Sequence, residues 1–452
     1  MKKMLLAITG VVKDVFFENS DGKAKNRRLR MLYTCFTGIV TTVIMGTYLT
    51  GLMIEMGADD GFISLSSALT NLCSVAQLVA PMIFERMRYR KRILIAVRMI
   101  YQFMNIVLIG VIPFLPISKP FMLVLFMVVI VALNLANSIS LPGISIWQMQ
   151  CIPESKHSDY FTAVSICAHV ITVLSGVIAG NLVDGFTAGG VSIVGLSPKM
   201  CAFLALRLVA LVFCIFEIIC MIKMTEEPYD VEREKRKLNL SLLIEPLKNS
   251  SFMKTVLIYV SFQFVSGIVG QYFNIYLIEI VKVPYTLFSY SLIISMPFYF
   301  VMIPIFSRLV NKYTWNKVLP FLIFGTGCAY IFNMLITLES LYFYHFVMVV
   351  YYMFAPSVMV VFSYLPYTNM PNENRTSYIS FFTISGIIAS FLGTLFGMLF
   401  MNITDGLVIE IFGKEFVNYQ YLNLLQTVLF IVSALVAAIV GRGIAKRRQD
   451  SI

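Results

Sequence analysis

Long apolar blocks alternate with short polar segments along the whole chain. Blocks such as 35–54 and 121–141 contain about 20 residues, enough to cross a hydrocarbon core about 30 Å thick as an α-helix. The pattern predicts twelve membrane spans, near residues 30–56, 62–84, 92–115, 119–147, 158–183, 198–222, 252–281, 285–309, 317–338, 341–367, 376–402 and 419–441.

The longest polar run, residues 223–250, falls between the sixth and seventh predicted spans. It divides the chain near its middle and is predicted to be a linker between halves. The predicted organisation is an N-terminal cytoplasmic segment 1–29, a six-helix bundle 30–223, a cytoplasmic linker 224–250, a second six-helix bundle 251–442 and a cytoplasmic tail 443–452. At the start of the chain we favour an interfacial amphipathic helix over a secretory signal, because no small-residue cleavage site follows.

Composition excludes a soluble protein. Hydrophobic residues make up 58% of the chain and charged residues 13%, whereas soluble domains have about 25% charged residues. The net charge of +11 is concentrated in alternate loops, including 23–30, 86–92, 223–248 and 442–448, so it does not indicate nucleic-acid binding. By the positive-inside rule these loops and both termini are cytoplasmic, which predicts a multi-pass protein of the plasma membrane.

The two halves of the chain resemble each other. Shifting the first half by 224 residues aligns the segment 46–55 with 270–279, ending on the same carboxylate. A similar polar turn, residues 152–162, returns at 370–380. The matched positions are Gly46 with Gly270, Tyr48 with Tyr272, Ile54 with Ile278, Glu55 with Glu279, Pro153 with Pro371 and Tyr160 with Tyr378. This internal repeat predicts two parallel bundles related by pseudo-symmetry.

No enzyme motif is found in the sequence: there is no H-E-x-x-H, no Walker A loop and no G-x-S-x-G. The eight cysteines are scattered without C-x-x-C spacing, and the three histidines are dispersed. We therefore expect no catalytic residues, no metal site and no cofactor, and transport, if it occurs, must use ion or solute gradients.

The loop after the second span has a local likeness to a known family. The segment "PMIFERMRYR" keeps Arg86 and Arg90 of a basic loop pattern, with Glu85 in place of an aspartate. With Trp147 followed by Pro153 and Glu154, and with twelve spans in two halves, the chain resembles the major facilitator superfamily. No motif fixes a subfamily.

This resemblance implies an all-α integral membrane fold with two pseudo-symmetric six-helix bundles. It also implies a solute site near the membrane midplane, lined mainly by spans 1, 4, 7 and 10. Glu85, Arg86 and Arg90 would then form a gating latch, with Glu85 near the start of span 11. A solvated charge run is the alternative interpretation of this loop.

Polar residues in the inner spans are candidates for binding the solute. On span 7, Gln263, Gly267, Gly270 and Asn274 share one helical face that we expect to point inward. Interhelical hydrogen bonding, worth about 0.6 kcal/mol per contact, is the alternative role. The predicted solute-binding residues are Thr47, Thr50, Asn134, Asn137, His169, Gln263, Gln271, Asn274, Tyr272 and Tyr351.

Charged residues are rare within the predicted spans. Arg98 lies close enough to the cytoplasmic end of its span to extend its side chain to water, and that is the expectation. Arg207 and Glu217 lie on span 6, which is peripheral in the family, and are interpreted as structural. Carboxylates at Glu55 and Glu279 lie near the outer ends of spans 1 and 7.

The leading hypothesis is a secondary transporter of a small polar organic solute, with a sugar or glycoside favoured, working by alternating access. Proton or sodium coupling is left open, and His169 is the favoured proton carrier because its ordinary pKa lies near neutrality. The alternative is a proton-coupled exporter of drugs or metabolites; a non-transporting receptor or a lipid flippase is a third class. Besides the solute, membrane lipids are the expected partners and nucleic acid is not, and the protein is expected to be a monomer.

Overall fold

The structure is a computed structural model that describes residues 23–84, 87–149, 157–192, 195–226, 228, 245–370, 375–411 and 414–450. The described residues contain twelve helical spans long and apolar enough to cross a membrane, which confirms the predicted number and the all-α fold class. The predicted N-terminal amphipathic helix lies outside the described residues.

Spans 1–6 form the first half of the chain, and three of them are interrupted. The α-helices are Ala24–Ile44 and Thr47–Glu55 in span 1, Asp60–Cys73 and Ala80–Phe84 in span 2, Lys91–Gln102 and Ile109–Val111 in span 3, and Lys119–Met149, His157–Ala188 and Pro198–Lys223 in spans 4, 5 and 6. A π-helical segment, Phe103–Leu108, joins the two α-helices of span 3. Such segments rearrange backbone hydrogen bonds and often occur at functional sites.

Spans 7–12 form the second half. Their α-helices are Ser250–Val269 and Tyr272–Ile275 in span 7, Tyr285–Tyr313 in span 8, Trp315–Ile331 in span 9, Tyr342–Tyr364 in span 10, Arg375–Ile403 in span 11 and Asn418–Asp450 in span 12. Span 7 ends in the π-helical segment Tyr276–Ile280. An antiparallel pair of short strands, Ile409–Ile411 and Lys414–Phe416, precedes span 12 and was not predicted.

The chain packs as two compact units. The first unit draws on Met1–Ala58 and Cys73–Arg236, and the second on Asp59–Leu72 and Lys237–Ile452. The start of span 2 therefore packs with the second unit, although it belongs to the first half of the sequence. The two six-helix bundles predicted at 30–223 and 251–442 stay a prediction.

Each unit has its own apolar core. Leu94, Trp147 and Met221 are buried together in the first unit. In the second unit Phe262 and Phe430 lie in a larger buried cluster, with their ring centroids 5.5 Å apart. Apolar packing of this kind holds the helices of each unit together even though lipid removes most of the hydrophobic driving force between them.

The repeated tyrosines play matching packing roles. Tyr160 is buried in span 5 beneath the guanidinium of Arg30, which lies 5.3 Å from the ring centroid near the start of span 1. Tyr378 is buried in span 11 and meets the ring of Phe252, near the start of span 7, edge-on at 4.7 Å. Each tyrosine thus packs against a residue near the start of an inner span. The repeated prolines lie outside the described residues.

Candidate functional site

Spans 1 and 7 are each broken at a glycine, at the two positions that the internal repeat aligns. Gly46 has φ +57° and ψ −127°, and Gly270 has φ +46° and ψ −120°. A positive φ with this ψ is accessible to glycine and strained for residues with a Cβ atom. Since both glycines adopt the same unusual conformation, the breaks are a repeated feature of the two units.

Neutral amides surround the break in span 7. The Asn274 side chain donates from Nδ2 to Oε1 of Gln271 at 2.9 Å, and both residues are half-buried. Gln263, on the same span before the break, is also half-buried and makes no side-chain hydrogen bond to the described residues. These three predicted residues present hydrogen-bonding groups that the fold leaves partly open.

Gly267 of span 7 packs closely against span 11. A Cβ atom added at this glycine would lie 2.2 Å from the carbonyl oxygen of Ser390, so Gly267 is in close contact with span 11. The Thr394 hydroxyl donates to the Gly267 carbonyl at 3.1 Å. Close approach of two helix backbones at small residues is the usual form of packing in membranes. Gly267 is therefore a packing residue. The inward orientation of the face that it shares with Gln263, Gly270 and Asn274 stays a prediction.

The two predicted tyrosines of the second unit are packed among other aromatic rings. Tyr272 is buried, and its ring centroid lies 6.3 Å from that of Tyr419, whose hydroxyl donates to the carboxylate of Asp60. Tyr351 is half-buried on span 10 and meets Tyr330 edge-on at 6.1 Å. Contact of either tyrosine with a solute stays a prediction.

Two of the predicted residues of the first unit are hydrogen-bonded to their own helices. The Thr50 hydroxyl donates to the carbonyl four residues earlier at 3.2 Å, and the Asn134 side chain donates to the carbonyl four residues earlier at 2.8 Å. Thr47 and His169 are half-buried. The structure places Thr47 and Thr50 directly after the break in span 1, in positions that correspond to the amide-bearing segment of span 7.

A buried charge cluster crosses the first unit. Arg98 of span 3 donates from Nε to the carboxylate of Glu217 on span 6 at 2.6 Å, and from Nη1 to Oδ1 of Asn137 on span 4 at 3.1 Å. Gln102 donates to the other oxygen of Glu217 at 2.7 Å. The guanidinium of Arg98 also lies 4.8 Å from the ring centroid of Tyr101.

The expectation that Arg98 reaches water was wrong. Only 4% of Arg98 and none of Glu217 is exposed, because the two side chains neutralise each other inside the unit. A charge near the end of a span extends to water only when the protein offers it no closer partner. The sequence signal that could have predicted this ion pair is the presence of opposite charges in two spans of the same half. The role of Asn137 in solute binding stays a prediction, although Arg98 uses its carbonyl oxygen.

The predicted gating loop contains a contact that the sequence did not suggest. Glu226, which follows span 6, accepts hydrogen bonds from the backbone N–H groups of Arg90 and Lys91 at the start of span 3. In return, the Lys91 ammonium donates to two carbonyls at the end of span 6, at 2.6 and 2.7 Å. Each helix end thus receives a charge of favourable sign from the other. Glu85 and Arg86 lie outside the described residues, so the gating role of this loop stays a prediction.

Metal binding has no support from the described side chains, among which no group of three histidines, cysteines, aspartates or glutamates is placed to hold an ion. The described residues offer hydrogen bonding from neutral amides beside the break in span 7 and, separately, from hydroxyls beside the break in span 1. Such groups suit reversible binding of a polar molecule rather than bond cleavage.

Comparisons with known proteins identify the fold. Among solved structures, a mutant of the nucleoside transporter NupG aligns with a TM-score of 0.66 at 13% identity, over 92% of this chain and 99% of that one. A bacterial homologue of the human drug peptide transporters PepT1 and PepT2 gives 0.63 at 14% identity, over 95% and 99%. A bacterial homologue of the iron transporter ferroportin in its inward-facing state gives 0.63 at 12% identity, over 93% and 98%.

At these identities the solved structures show a shared fold and leave the solute open. A search of curated proteins gave no match. The model of the Major Facilitator Superfamily matches residues 30–394, which is well over half of the chain. With twelve membrane spans and an internal repeat between its halves, the chain belongs to the Major Facilitator Superfamily.

Proposed function

We propose that this protein is a secondary transporter that moves a small, neutral, polar organic solute, with a sugar or glycoside favoured, across the plasma membrane. The observation that carries the proposal is the group of half-buried neutral amides, Gln263, Gln271 and Asn274, beside the break in span 7. Amides can both donate to and accept from the hydroxyl groups of such a solute.

The distribution of charge in the inner spans supports a neutral solute. Span 1 has no charged residue between Arg30 and Glu55, and span 7 has none between Lys254 and Glu279. Spans 4 and 10 likewise lack Asp, Glu, Lys and Arg within 120–149 and 342–364. A charged solute held at the membrane midplane would need a countercharge, since an isolated charge there costs about 2.5–3.5 kcal/mol on insertion scales.

Transport in this proposal runs on gradients by alternating access of the rocker-switch type. The basic loops and the positive-inside rule support cytoplasmic termini. Proton coupling through half-buried His169 is the favoured form of symport. Replacing His169 by alanine should abolish uphill uptake and its pH dependence while leaving exchange down a gradient intact; unchanged uphill uptake would remove this assignment.

Counterflow into proteoliposomes tests the solute class. The panel should contain neutral sugars, glycosides, nucleosides, amino acids and organic cations, each with and without a protonophore. Nucleosides are included because they are glycosides and because NupG, a structural neighbour, is a nucleoside transporter. Exchange of a neutral hydroxylated solute supports the proposal, whereas exchange confined to charged drugs favours a proton-coupled exporter.

Two glutamines of the second unit provide a matched pair of variants. Gln263 is half-buried and has no side-chain partner among the described residues, whereas Gln426 is buried and donates to the Val265 carbonyl at 3.0 Å. Gln263→Ala should weaken apparent solute affinity about 2- to 12-fold, the equivalent of one lost hydrogen bond, without lowering thermal stability. Gln426→Ala should instead lower thermal stability. Unchanged affinity in Gln263→Ala for every transported solute would contradict the proposed site.

A further inference from the structure

Arg98 and Arg207 are two of the buried arginines of the first unit, and their surroundings differ. Arg98 donates to the Glu217 carboxylate at 2.6 Å and to Asn137 at 3.1 Å. Arg207, the tenth residue of the span 6 helix, is only 5% exposed and makes one hydrogen bond, from Nη1 to the Asn105 carbonyl at 2.5 Å. One arginine therefore has a compensating charge, and the other has a backbone carbonyl.

No carboxylate within the described part of the chain forms an ion pair with Arg207. Glu217 lies ten residues further along the same helix, about 15 Å away at 1.5 Å per residue. It already accepts from Arg98 and from Gln102. Arg98, Arg207 and Glu217 together therefore carry one excess positive charge inside the first unit. An unpaired buried ion is costly, so a negative partner from outside the chain would stabilise this unit.

Two side-chain amide oxygens of span 3 also lack hydrogen-bond partners among the described residues. The Oδ1 atom of Asn105 and the Oε1 atom of Gln102 are buried without a hydrogen bond, on residues that are 1% and 2% exposed. Both residues lie at or beside the π-helical segment of span 3, whose backbone accepts from Arg207. Buried amide groups of this kind are normally satisfied by water or by a ligand. An amide turned about its last bond presents N–H groups instead of the oxygen and can then donate to an anion.

We propose that Arg207 and the Asn105 amide form an internal site for one small monovalent anion of the halide class, held with water inside the first unit. The stem of Arg207 packs closely against span 3, since a Cβ atom at Gly110 would lie 3.2 Å from Cδ of Arg207. The guanidinium supplies charge and several N–H donors, and the amide adds a donor. The carboxylate of a small organic acid could accept the same hydrogen bonds. The test below distinguishes it from a halide.

The test is thermal unfolding of the purified full-length protein in detergent, with chloride replaced by the bulky anion gluconate at constant ionic strength. Wild-type protein should unfold about 3–6 °C higher in chloride at tenfold excess over its dissociation constant, and the effect should saturate. Acetate in place of chloride tests whether a small carboxylate fills the same site. A saturable shift with acetate and none with chloride would overturn the halide assignment while leaving an anion site.

Arg207→Gln separates anion binding from a purely structural role. The variant should lose the chloride-dependent shift, and it should be at least as stable as wild type in gluconate, because it removes an uncompensated charge. If Arg207 only holds the Asn105 carbonyl, the variant will be less stable by the same amount in both salts, and the proposal fails. Arg207→Lys keeps the charge and should keep a weakened shift.

A direct measurement does not depend on the stability of any variant. In crystals of the wild-type protein grown with bromide, anomalous density is expected within about 4 Å of the Arg207 guanidinium, at N–H to halide contact. Absence of density there, with bromide sites located elsewhere in the same crystal, would overturn the site. This test is independent of transport, so its failure leaves the proposed transporter function intact.

Discussion

Replacing Glu217 by glutamine keeps the volume of the side chain and removes its negative charge. The carboxylate accepts from Arg98 Nε at 2.6 Å through one oxygen and from Gln102 Nε2 at 2.7 Å through the other. Glutamine has one oxygen and one NH₂ group, so one of the two donors must face another donor. Because Glu217 is fully buried, water cannot compensate, and Arg98 is left as an unpaired buried cation.

Breaking a buried ion pair by removing one partner costs about 3–5 kcal/mol. For domains of about 150–250 residues, 1 kcal/mol corresponds to a change of about 2–4 °C in melting temperature, so Glu217→Gln should melt about 6–20 °C below wild type. The assay is thermal unfolding of the purified protein in detergent. The control is the double variant Arg98→Met with Glu217→Leu, which replaces the pair by apolar side chains of similar volume and should recover most of the loss.

The reasoning fails if Glu217→Gln melts within about 2 °C of wild type, since the pair would then contribute no more than an exposed one. It also fails if the double variant is less stable than the glutamine variant alone. In that case the contribution would come from the shape of the two side chains and their other contacts, such as the bond from Arg98 to Asn137, rather than from the neutralisation of charge.

Three further predictions concern helix ends and glycines. Glu226→Gln should weaken the cap on span 3 by about 0.5–2 kcal/mol and speed amide hydrogen exchange at the start of that span, with no change elsewhere; unchanged exchange would contradict the reciprocal capping. Gly270→Ala should lower unfolding free energy by about 1–2 kcal/mol because φ is positive there, whereas Gly185→Ala, at an open helical position, should not lower the melting temperature. Gly393→Ala would place a Cβ atom 2.0 Å from the Phe264 carbonyl oxygen and should cost about 1–3 kcal/mol by forcing spans 7 and 11 apart, seen as a lower melting temperature.

Features that depend on local sequence were predictable. The number of spans follows from the length and hydrophobicity of each block, because lipid requires every spanning segment to satisfy its own backbone. The alignment of Gly46 with Gly270 also predicted that the two positions are structurally equivalent. Both glycines have a positive φ at a helix break. An internal sequence repeat predicts backbone geometry best at positions where the conformation requires glycine.

Features that depend on which helix faces meet were not predictable. Arg98 and Glu217 are 119 residues apart, and Glu226 lies 135 residues from the Lys91 amide that it caps. Helical periodicity places a side chain on a face but does not identify the neighbouring helix. For the same reason the close contact of Gly267 with Ser390 of span 11 could not be predicted from its position on the helix.

The two units use different chemistry for the same structural task, and the difference bears on function. In the first unit, span 6 is joined to span 3 through the ionised side chains Glu217 and Arg207. In the second, a buried neutral amide of span 12 makes the corresponding link to span 9, where Asn423 accepts from Asn333. Gln426, on the same span, donates to a carbonyl of span 7. Hydrogen bonds between neutral amides join helices at a lower desolvation cost than ionised side chains do. The need to join helices therefore does not by itself account for the charges in the first unit. Their excess of one cation is the feature that an anion at Arg207 would explain.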